Sequence, residues 1–314
     1  MVRITYHAPS KIKIEQLKKV GYLVEYVYSN YMDKVDRDIH EFAILHPDDL
    51  DVSAGYICDE YNLPLKEKVV TYAKYMGFYA VYSSVHIECK PKAVIISPAC
   101  SRLKLYLPSI VYVGCRVASS YKHYREADEE KAKALITSLN SYSIAYASEE
   151  ERAVLQEALY HFISEYISKE EAMTISYLIA NLGILKGYEI AKLLYVGEPE
   201  KAKKAKSAIL NFIDEVVARI FTYIMLEDVP SIRDVLKASF ERNIPFAHPE
   251  YAYDSYEYAR KLIEKMGFKP ISEREIENVW KKDKKLREAI ETLEILEERM
   301  EENIRRRLHI YSPM

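Results

Sequence analysis

Glycine is scarce in this sequence, at 8 of 314 residues, which is well under half of the usual share of roughly 7%. Folds that depend on glycine-lined loops are therefore disfavoured, and no Gly-x-x-x-x-Gly-Lys-Ser/Thr phosphate-binding loop is present. The Gly-x-Ser-x-Gly and His-Glu-x-x-His motifs of common hydrolases are missing as well. These absences argue against Rossmann-type nucleotide binding and ATP hydrolysis, and they predict a protein that is not an enzyme and needs no cofactor.

Long apolar runs are also missing. The longest uncharged run that is mainly apolar, residues 172–185, is shorter than the roughly 18 residues of a membrane span. No apolar segment with a cleavage site follows the amino terminus, so the sequence predicts a cytoplasmic protein that does not contact a membrane. Glutamine occurs only as Gln16 and Gln156, beside abundant Glu and Lys, which is typical of thermophilic proteins.

The formal net charge of -3 excludes a basic field over the whole molecule, so any contact with nucleic acid must be local. One local excess lies between residues 86 and 125, where seven basic residues face one acid and four tyrosines are interspersed. Cations can bind phosphates and aromatic rings can stack on bases. We expect nucleic-acid contacts from this amino-half basic patch, which consists of Lys90, Lys92, Arg102, Lys104, Arg116, Lys122 and Arg125.

The first 125 residues contain short runs rich in Val, Ile and Tyr, which are typical of strands. The predicted strands are Tyr22–Tyr28, Phe78–Glu88, Ala93–Ser97 and Leu103–Cys115. Helical spacing marks Ile12–Val20 and Leu65–Met76, with Gly21 and Gly77 at the positions of carboxyl-terminal caps. The pattern predicts an α+β protein with a mixed α/β domain over residues 1–125.

Residues 126–314 are dominated by helical signals, which predict an all-α bundle. Three Ser-x-x-Glu capping boxes mark helix starts, at Ser148, Ser168 and Ser272. First-turn prolines mark two further starts and glycines mark two ends, namely Pro199, Pro230, Gly183 and Gly267. The last helix is predicted to run unbroken from Ser272 to about Leu308 and to pack on this bundle. Its predicted apolar seam is Val279, Leu286, Leu293 and Met300.

A second candidate for nucleic-acid contact resembles a helix-turn-helix. A helix predicted over Glu189–Tyr195 is followed by a short turn and by a second helix that opens at Pro199. Basic residues in the first turns of a second helix can meet phosphates or base edges, although any bundle can join two helices in this way. The predicted contacts are Lys201, Lys203 and Lys204.

Two groups of residues are candidate metal ligands, and neither has the spacing of a known metal-binding motif. His40, His46 and Asp48 could ligate a metal for phosphodiester cleavage, but His46–Asp49 also reads as a turn before a helix. The four cysteines lack the short spacing of a zinc knuckle, so no metal site is predicted. Whether Cys89, Cys100 and Cys115 bind metal or form a disulfide stays open.

The basic, tyrosine-bearing amino half, the helical carboxyl half and the lack of catalytic motifs resemble the large subunit of an archaeal type I-A CRISPR surveillance complex. The amino-half segment SRLKLYLPSIVYVGCRVASSYKHYR carries part of this resemblance. It implies a noncatalytic subunit for antiviral defence, which assembles with guide RNA and other subunits, helps to recognise target DNA and helps to recruit a nuclease-helicase. The alternatives are a metal-dependent nuclease using His40, His46 and Asp48, and a helix-turn-helix DNA-binding regulator.

Overall fold

A computed structural model describes residues 3–8, 10–32, 41–46, 80–83, 93–96, 103–120, 135, 148–164, 167–243, 247–250 and 252–296. The chain forms two compact units. Unit 1 comprises residues 1–114 together with 267–314, and unit 2 comprises residues 115–266. This division differs from a linear boundary near residue 125, because a carboxyl-terminal segment belongs to the same unit as the amino-terminal residues.

Unit 1 contains a small sheet of four short strands in the spatial order β1-β2-β4-β3. The strands are β1 (Arg3–His7), β2 (Glu41–Leu45), β3 (Ala80–Ser83) and β4 (Ala93–Ile96). β2 is parallel to both β1 and β4, whereas β3 is an antiparallel edge strand. In this register Ala43 is opposite Ile95 in β4.

Helix α1 (Lys11–Tyr31) begins after the N-cap Ser10, whose side chain accepts a hydrogen bond from the Lys13 backbone N–H. The predicted strand Tyr22–Tyr28 lies inside this helix and is therefore wrong. The buried positions of α1 repeat every three or four residues, which is the helical period, and this period outweighs the strand-like composition. These buried residues include Leu17, Val20, Leu23, Val24 and Val27.

Gly21 does not cap a helix, because it lies in the middle of α1. A Cβ atom at this position would collide with the side chain of Tyr6 on β1. Gly21 therefore allows α1 to lie close to the sheet, a role that the expected cap did not anticipate.

Helix α2 (Leu103–Ser120) occupies the segment predicted as the strand Leu103–Cys115, so that prediction is also wrong. The apolar run is longer than the roughly four to eight residues of a typical strand, and length separates a buried helix from a buried strand when periodicity cannot. Pro108 lies inside the helix. The Tyr28 hydroxyl donates a 2.7 Å hydrogen bond to the carbonyl of Ile110.

The predicted α+β class, with a mixed α/β domain in front of a helical bundle, is consequently wrong. The described residues are mostly helical, and their strands are four segments of four or five residues each. The composition of the amino half suggested strands because Val, Ile and Tyr also fill the buried faces of α1 and α2.

All the regular secondary structure in the described residues of unit 2 is helical. It contains α3 (Glu149–Ile163), α4 (Lys169–Leu182), α5 (Ile184–Leu194), α6 (Pro199–Leu226), α7 (Pro230–Asn243) and α8 (Tyr253–Lys265). The long α6 contacts α3, α5, α7 and α8, so it forms the centre of the bundle. The predicted starts after Ser168, at Pro199 and at Pro230 are confirmed. Gly183 caps the end of α4 with a positive φ of 86°.

The predicted single terminal helix is wrong, although its start at the Ser272 capping box is confirmed. α9 (Glu273–Glu275) passes into a π-helix over Ile276–Trp280, and a turn separates this from α10, which is described over 284–296. The Lys281 N–H bonds to the carbonyl of Ile276 at 3.0 Å, which is the i→i+5 pattern of a π-helix.

The π-helix changes which side chain enters the core. Trp280 is fully buried, whereas the predicted seam residue Val279 is 49% exposed. Asp283 then caps α10, because its Oδ1 accepts the Leu286 N–H at 2.9 Å. Leu286 and Leu293 are buried, and the whole segment belongs to unit 1 and not to the helical bundle. The predicted seam residue Met300 lies outside the described ranges.

Candidate nucleic-acid interface

The helix-turn-helix segment of unit 2 carries exposed basic side chains beside an open turn. α5 ends at Leu194, and the Glu198 N–H donates a 2.9 Å hydrogen bond to the carbonyl of Tyr195 before α6 opens at Pro199. Gly197 has a φ of 92°, and a Cβ atom there would meet nothing within 4 Å. The turn therefore lies open at the end of the two helices.

Three lysines project from the first two turns of α6. Lys203, Lys204 and Lys206 are exposed, and they form no ion pair with any described residue. We call these three residues the lysine face. The arrangement can bind phosphate oxygens without breaking an internal ion pair.

Lys201 differs from the lysine face because two carboxylates surround it. Its Nζ lies 2.6 Å from Glu198 Oε2 and 3.7 Å from Glu171 Oε1 on α4. The hydrogen bond to Glu198 raises the pKa of Lys201, so this ammonium group stays charged. Of the three lysines predicted here, Lys203 and Lys204 are available to a ligand, whereas Lys201 is paired with two carboxylates.

Large apolar side chains are exposed beside the turn. Leu193 is 69% exposed, Leu194 is 49% exposed and Val196 is 78% exposed. Exposed apolar side chains that lie together often mark a contact surface. Periodicity did not single out these residues, since they belong to the predicted helix and turn.

Gly187 and Tyr195 show how closely α4, α5 and the turn before α6 are packed. A Cβ atom at Gly187 would lie 2.8 Å from the backbone Cα of Ile179, so only glycine lets α4 and α5 come this close. Near the turn, Tyr195 is 7% exposed, and burial, followed by the charge of Glu171, raises its pKa. The sequence identified Glu171 only as part of a capping box and gave no sign of its contact with α6.

The amino-half basic patch is represented by two residues in the described ranges. Arg116 is only 4% exposed, and its Nη1 lies 3.8 Å from Asp214 Oδ2. A buried guanidinium group beside a carboxylate is a structural ion pair, so the predicted phosphate contact at Arg116 is wrong. Lys104 lies in α2, and its side chain is not described. The other members, which lie outside the described residues, are Lys90, Lys92, Arg102, Lys122 and Arg125.

The alternative metal site can be judged only at His46, since His40 and Asp48 lie outside the described residues. His46 is fully buried, and its Nε2 lies 3.4 Å from Gln16 Oε1. Its backbone N–H donates a 2.9 Å hydrogen bond to the carbonyl of His7. Within the described ranges, no group of three or more His, Cys, Asp or Glu residues is placed to hold a metal ion. The structure thus buries the one predicted ligand that it describes.

Among the cysteines, Cys115 falls within the described ranges. It is a buried free thiol, and burial raises its pKa. Cys89 and Cys100 lie outside the described residues.

No family model, curated protein or solved structure matches this chain. In the described part of the chain, none of the helices has both the length and the apolar character that a membrane span requires.

Proposed function

We propose that this protein is a noncatalytic nucleic-acid-binding protein and that the lysine face of α6 binds the phosphate backbone. The observation that carries the proposal is that Lys203, Lys204 and Lys206 are exposed and without an ion pair to the described residues. Other exposed lysines among the described residues lie beside a carboxylate, as Lys18 does beside Glu15 and Lys261 beside Glu257. The positive charges of the lysine face are therefore available to an anionic ligand.

The salt dependence of binding provides the test. Each phosphate contact that a lysine makes releases counterions and adds about 0.7 to 0.9 to the slope of log K against log salt. Replacing the lysine face with glutamine should therefore weaken binding to labelled DNA or RNA and lower the slope by roughly 2 to 3 units. The control replaces the exposed Lys281, Lys282 and Lys284 of unit 1, which changes the net charge equally. An equal loss of affinity and an equal decrease in slope in both variants would show that the lysine face is not the binding surface.

The comparison of single-stranded and double-stranded probes sharpens the proposal. A helix that enters a groove requires a duplex, whereas simple phosphate contacts accept either form. A clear preference for duplex DNA would favour the helix-turn-helix regulator over a subunit of an RNA-containing complex.

The finer role, a subunit of an RNA-guided CRISPR complex with guide RNA, target DNA and other subunits as partners, is part of the proposal. Its support is the helical carboxyl half, since two of the strands predicted in the amino half are helices. Purifying the protein from its native cells and sequencing the RNA that accompanies it tests this role. A preparation without RNA or partner subunits would exclude the role in a CRISPR complex, and the proposal of nucleic-acid binding by the lysine face would stand without it.

The noncatalytic character is tested with the same probes. Incubation with Mg²⁺ or Mn²⁺ should leave labelled DNA and RNA intact. Cleavage that disappears in His46→Ala would instead establish the metal-dependent nuclease.

A further inference from the structure

Glu171 is shared between the start of α4 and the start of α6. Its Oε2 accepts hydrogen bonds from the Ser168 hydroxyl at 2.7 Å and from the Ser168 N–H at 3.2 Å. Its Oε1 lies 3.7 Å from the ammonium group of Lys201. The hydrogen bonds from Ser168, followed by the charge of Lys201, lower the pKa of Glu171. One carboxylate therefore closes the capping box and also reaches the neighbouring helix.

The other carboxylate near Lys201 comes from its own helix end. Glu198 Oε2 lies 2.6 Å from Lys201 Nζ, and the carbonyl of Glu198 accepts the Ala202 N–H at 3.0 Å. If Lys201 turned to a phosphate, both Glu198 and Glu171 would lose their cation beside a polyanion. The like charges would then repel, which makes this exchange unfavourable.

We infer that Lys201 is a positioning residue that does not contact phosphate. Its pair with Glu171 fixes the first turn of α6 against the start of α4, and this orients the lysine face that follows. The inference rests on the proposed function, and it divides four neighbouring lysines of α6 into one that positions the helix and three that bind.

The deciding experiment compares Lys201→Gln with Lys203→Gln, two variants with the same change in charge. Salt titrations with a labelled duplex and a labelled single strand should show a lower slope for Lys203→Gln. Lys201→Gln should bind more weakly than wild type but lower the slope by clearly less than Lys203→Gln, because it removes no phosphate contact and leaves only a screened repulsion from two carboxylates. A slope that falls equally in both variants would show that Lys201 contacts phosphate. An unchanged affinity would show that it has no role, and either result overturns the inference.

Glu171→Gln tests the partner of Lys201. Glutamine can still close a capping box, so this variant removes the ion pair while keeping the start of α4. Measured against Glu170→Gln, an adjacent change of the same charge, it should weaken binding as Lys201→Gln does. The double variant Glu171→Gln/Lys201→Gln should be no weaker than either single variant. Additive losses would mean that the two residues act separately, contrary to the inference.

Hydrogen exchange separates this inference from the proposed function, because it needs no nucleic acid. The Ala202 amide should exchange faster in Lys201→Gln and in Glu171→Gln than in Glu170→Gln. If the wild-type protein binds no nucleic acid, the proposed function fails while the positioning of α6 is still decided by this measurement. Unchanged exchange in both variants would contradict the positioning role.

Discussion

The same four-residue motif begins a helix in each unit, and the helices that follow are different. In both Ser168-x-x-Glu171 and Ser272-x-x-Glu275, the serine hydroxyl accepts the glutamate N–H at 3.3 Å and the glutamate side chain returns to the serine N–H at 3.2 Å. In unit 2 the motif starts the regular α4. In unit 1 it starts three α-helical residues and then a π-helix.

The difference lies in what each helix has to bury. α4 places small and branched side chains such as Ala172, Ile175 and Ile179 on one face, and a regular helix does this without adjustment. In unit 1 the side chain to be buried is Trp280, whose ring packs edge-on against Tyr26 at 5.7 Å and beside Tyr31 at 5.9 Å. The local motif fixes where a helix starts, and tertiary packing determines its geometry afterwards.

Removing the indole should have the largest effect. Trp280→Ala should lower the free energy of unfolding by about 3 to 5 kcal/mol, because it empties a fully buried site and deprives the Tyr31 hydroxyl of the 3.0 Å indole hydrogen bond. Urea unfolding followed by circular dichroism measures this loss. The control is Val279→Ala, the half-exposed neighbour. Equal losses in the two variants would show that the π-helix does not serve the burial of Trp280.

The features that sequence predicted correctly are those that depend on local backbone chemistry. Capping serines, first-turn prolines and the glycine at position 183 act within one turn, so they mark helix ends without knowledge of the fold. The open helix-turn-helix segment was found for the same reason, because its turn and its lysines are adjacent in the chain.

The features that sequence missed depend on contacts between distant residues. Arg116 and Asp214 are far apart in sequence, so Arg116 was grouped with exposed cations. Tyr22–Tyr28 and Leu103–Cys115 have strand-like compositions, and only their packing shows that they are helical. The π-helix that places Trp280 in the core cannot be recognised from the seven-residue spacing of apolar side chains.

Two helical glycines allow a second comparison between the units. Alanine normally stabilises a helix relative to glycine by about 1 kcal/mol. At Gly187 the added Cβ would meet backbone atoms of Ile179, which cannot move without shifting α4, and overpacking of this kind costs roughly 1 to 3 kcal/mol. At Gly21 it would meet only the side chain of Tyr6, which can turn away. Thermal unfolding should therefore show a larger loss for Gly187→Ala than for Gly21→Ala, and the reverse order would contradict these contacts.

The capping boxes themselves should have similar and smaller effects. Ser168→Ala and Ser272→Ala each remove a hydroxyl acceptor at a helix start, which costs about 1 kcal/mol. Serine-to-threonine variants at the same positions keep an acceptor and serve as controls. If urea unfolding shows that one box contributes much more than the other, the value of the motif depends on the helix that follows it, and the comparison of the two starts must be revised.

The smallest expected effect concerns His248, a buried histidine of unit 2. The Nδ1 of His248 accepts the Glu250 N–H at 3.3 Å, so this nitrogen carries no proton. Its Nε2 lies 3.6 Å from Glu241 Oε1, and burial lowers the pKa of His248 although Glu250 and Glu241 oppose the shift and Lys237 adds to it. Protonation would replace the Nδ1 acceptor with a donor and break the bond to Glu250.

Because the pKa of His248 is lower in the folded state, the unfolded chain binds this proton more readily. The stabilisation is complete above the unfolded pKa of about 6.5 and is lost as the pH falls below it, towards the folded value. His248→Gln, which does not titrate in this range, should flatten this part of the unfolding profile, whereas Gln156→Ala on α3 should leave it unchanged. Parallel profiles for wild type and His248→Gln between about pH 7.5 and pH 5.5 would show that His248 binds its proton equally well in the folded and unfolded states, which would contradict a lowered pKa in the folded protein.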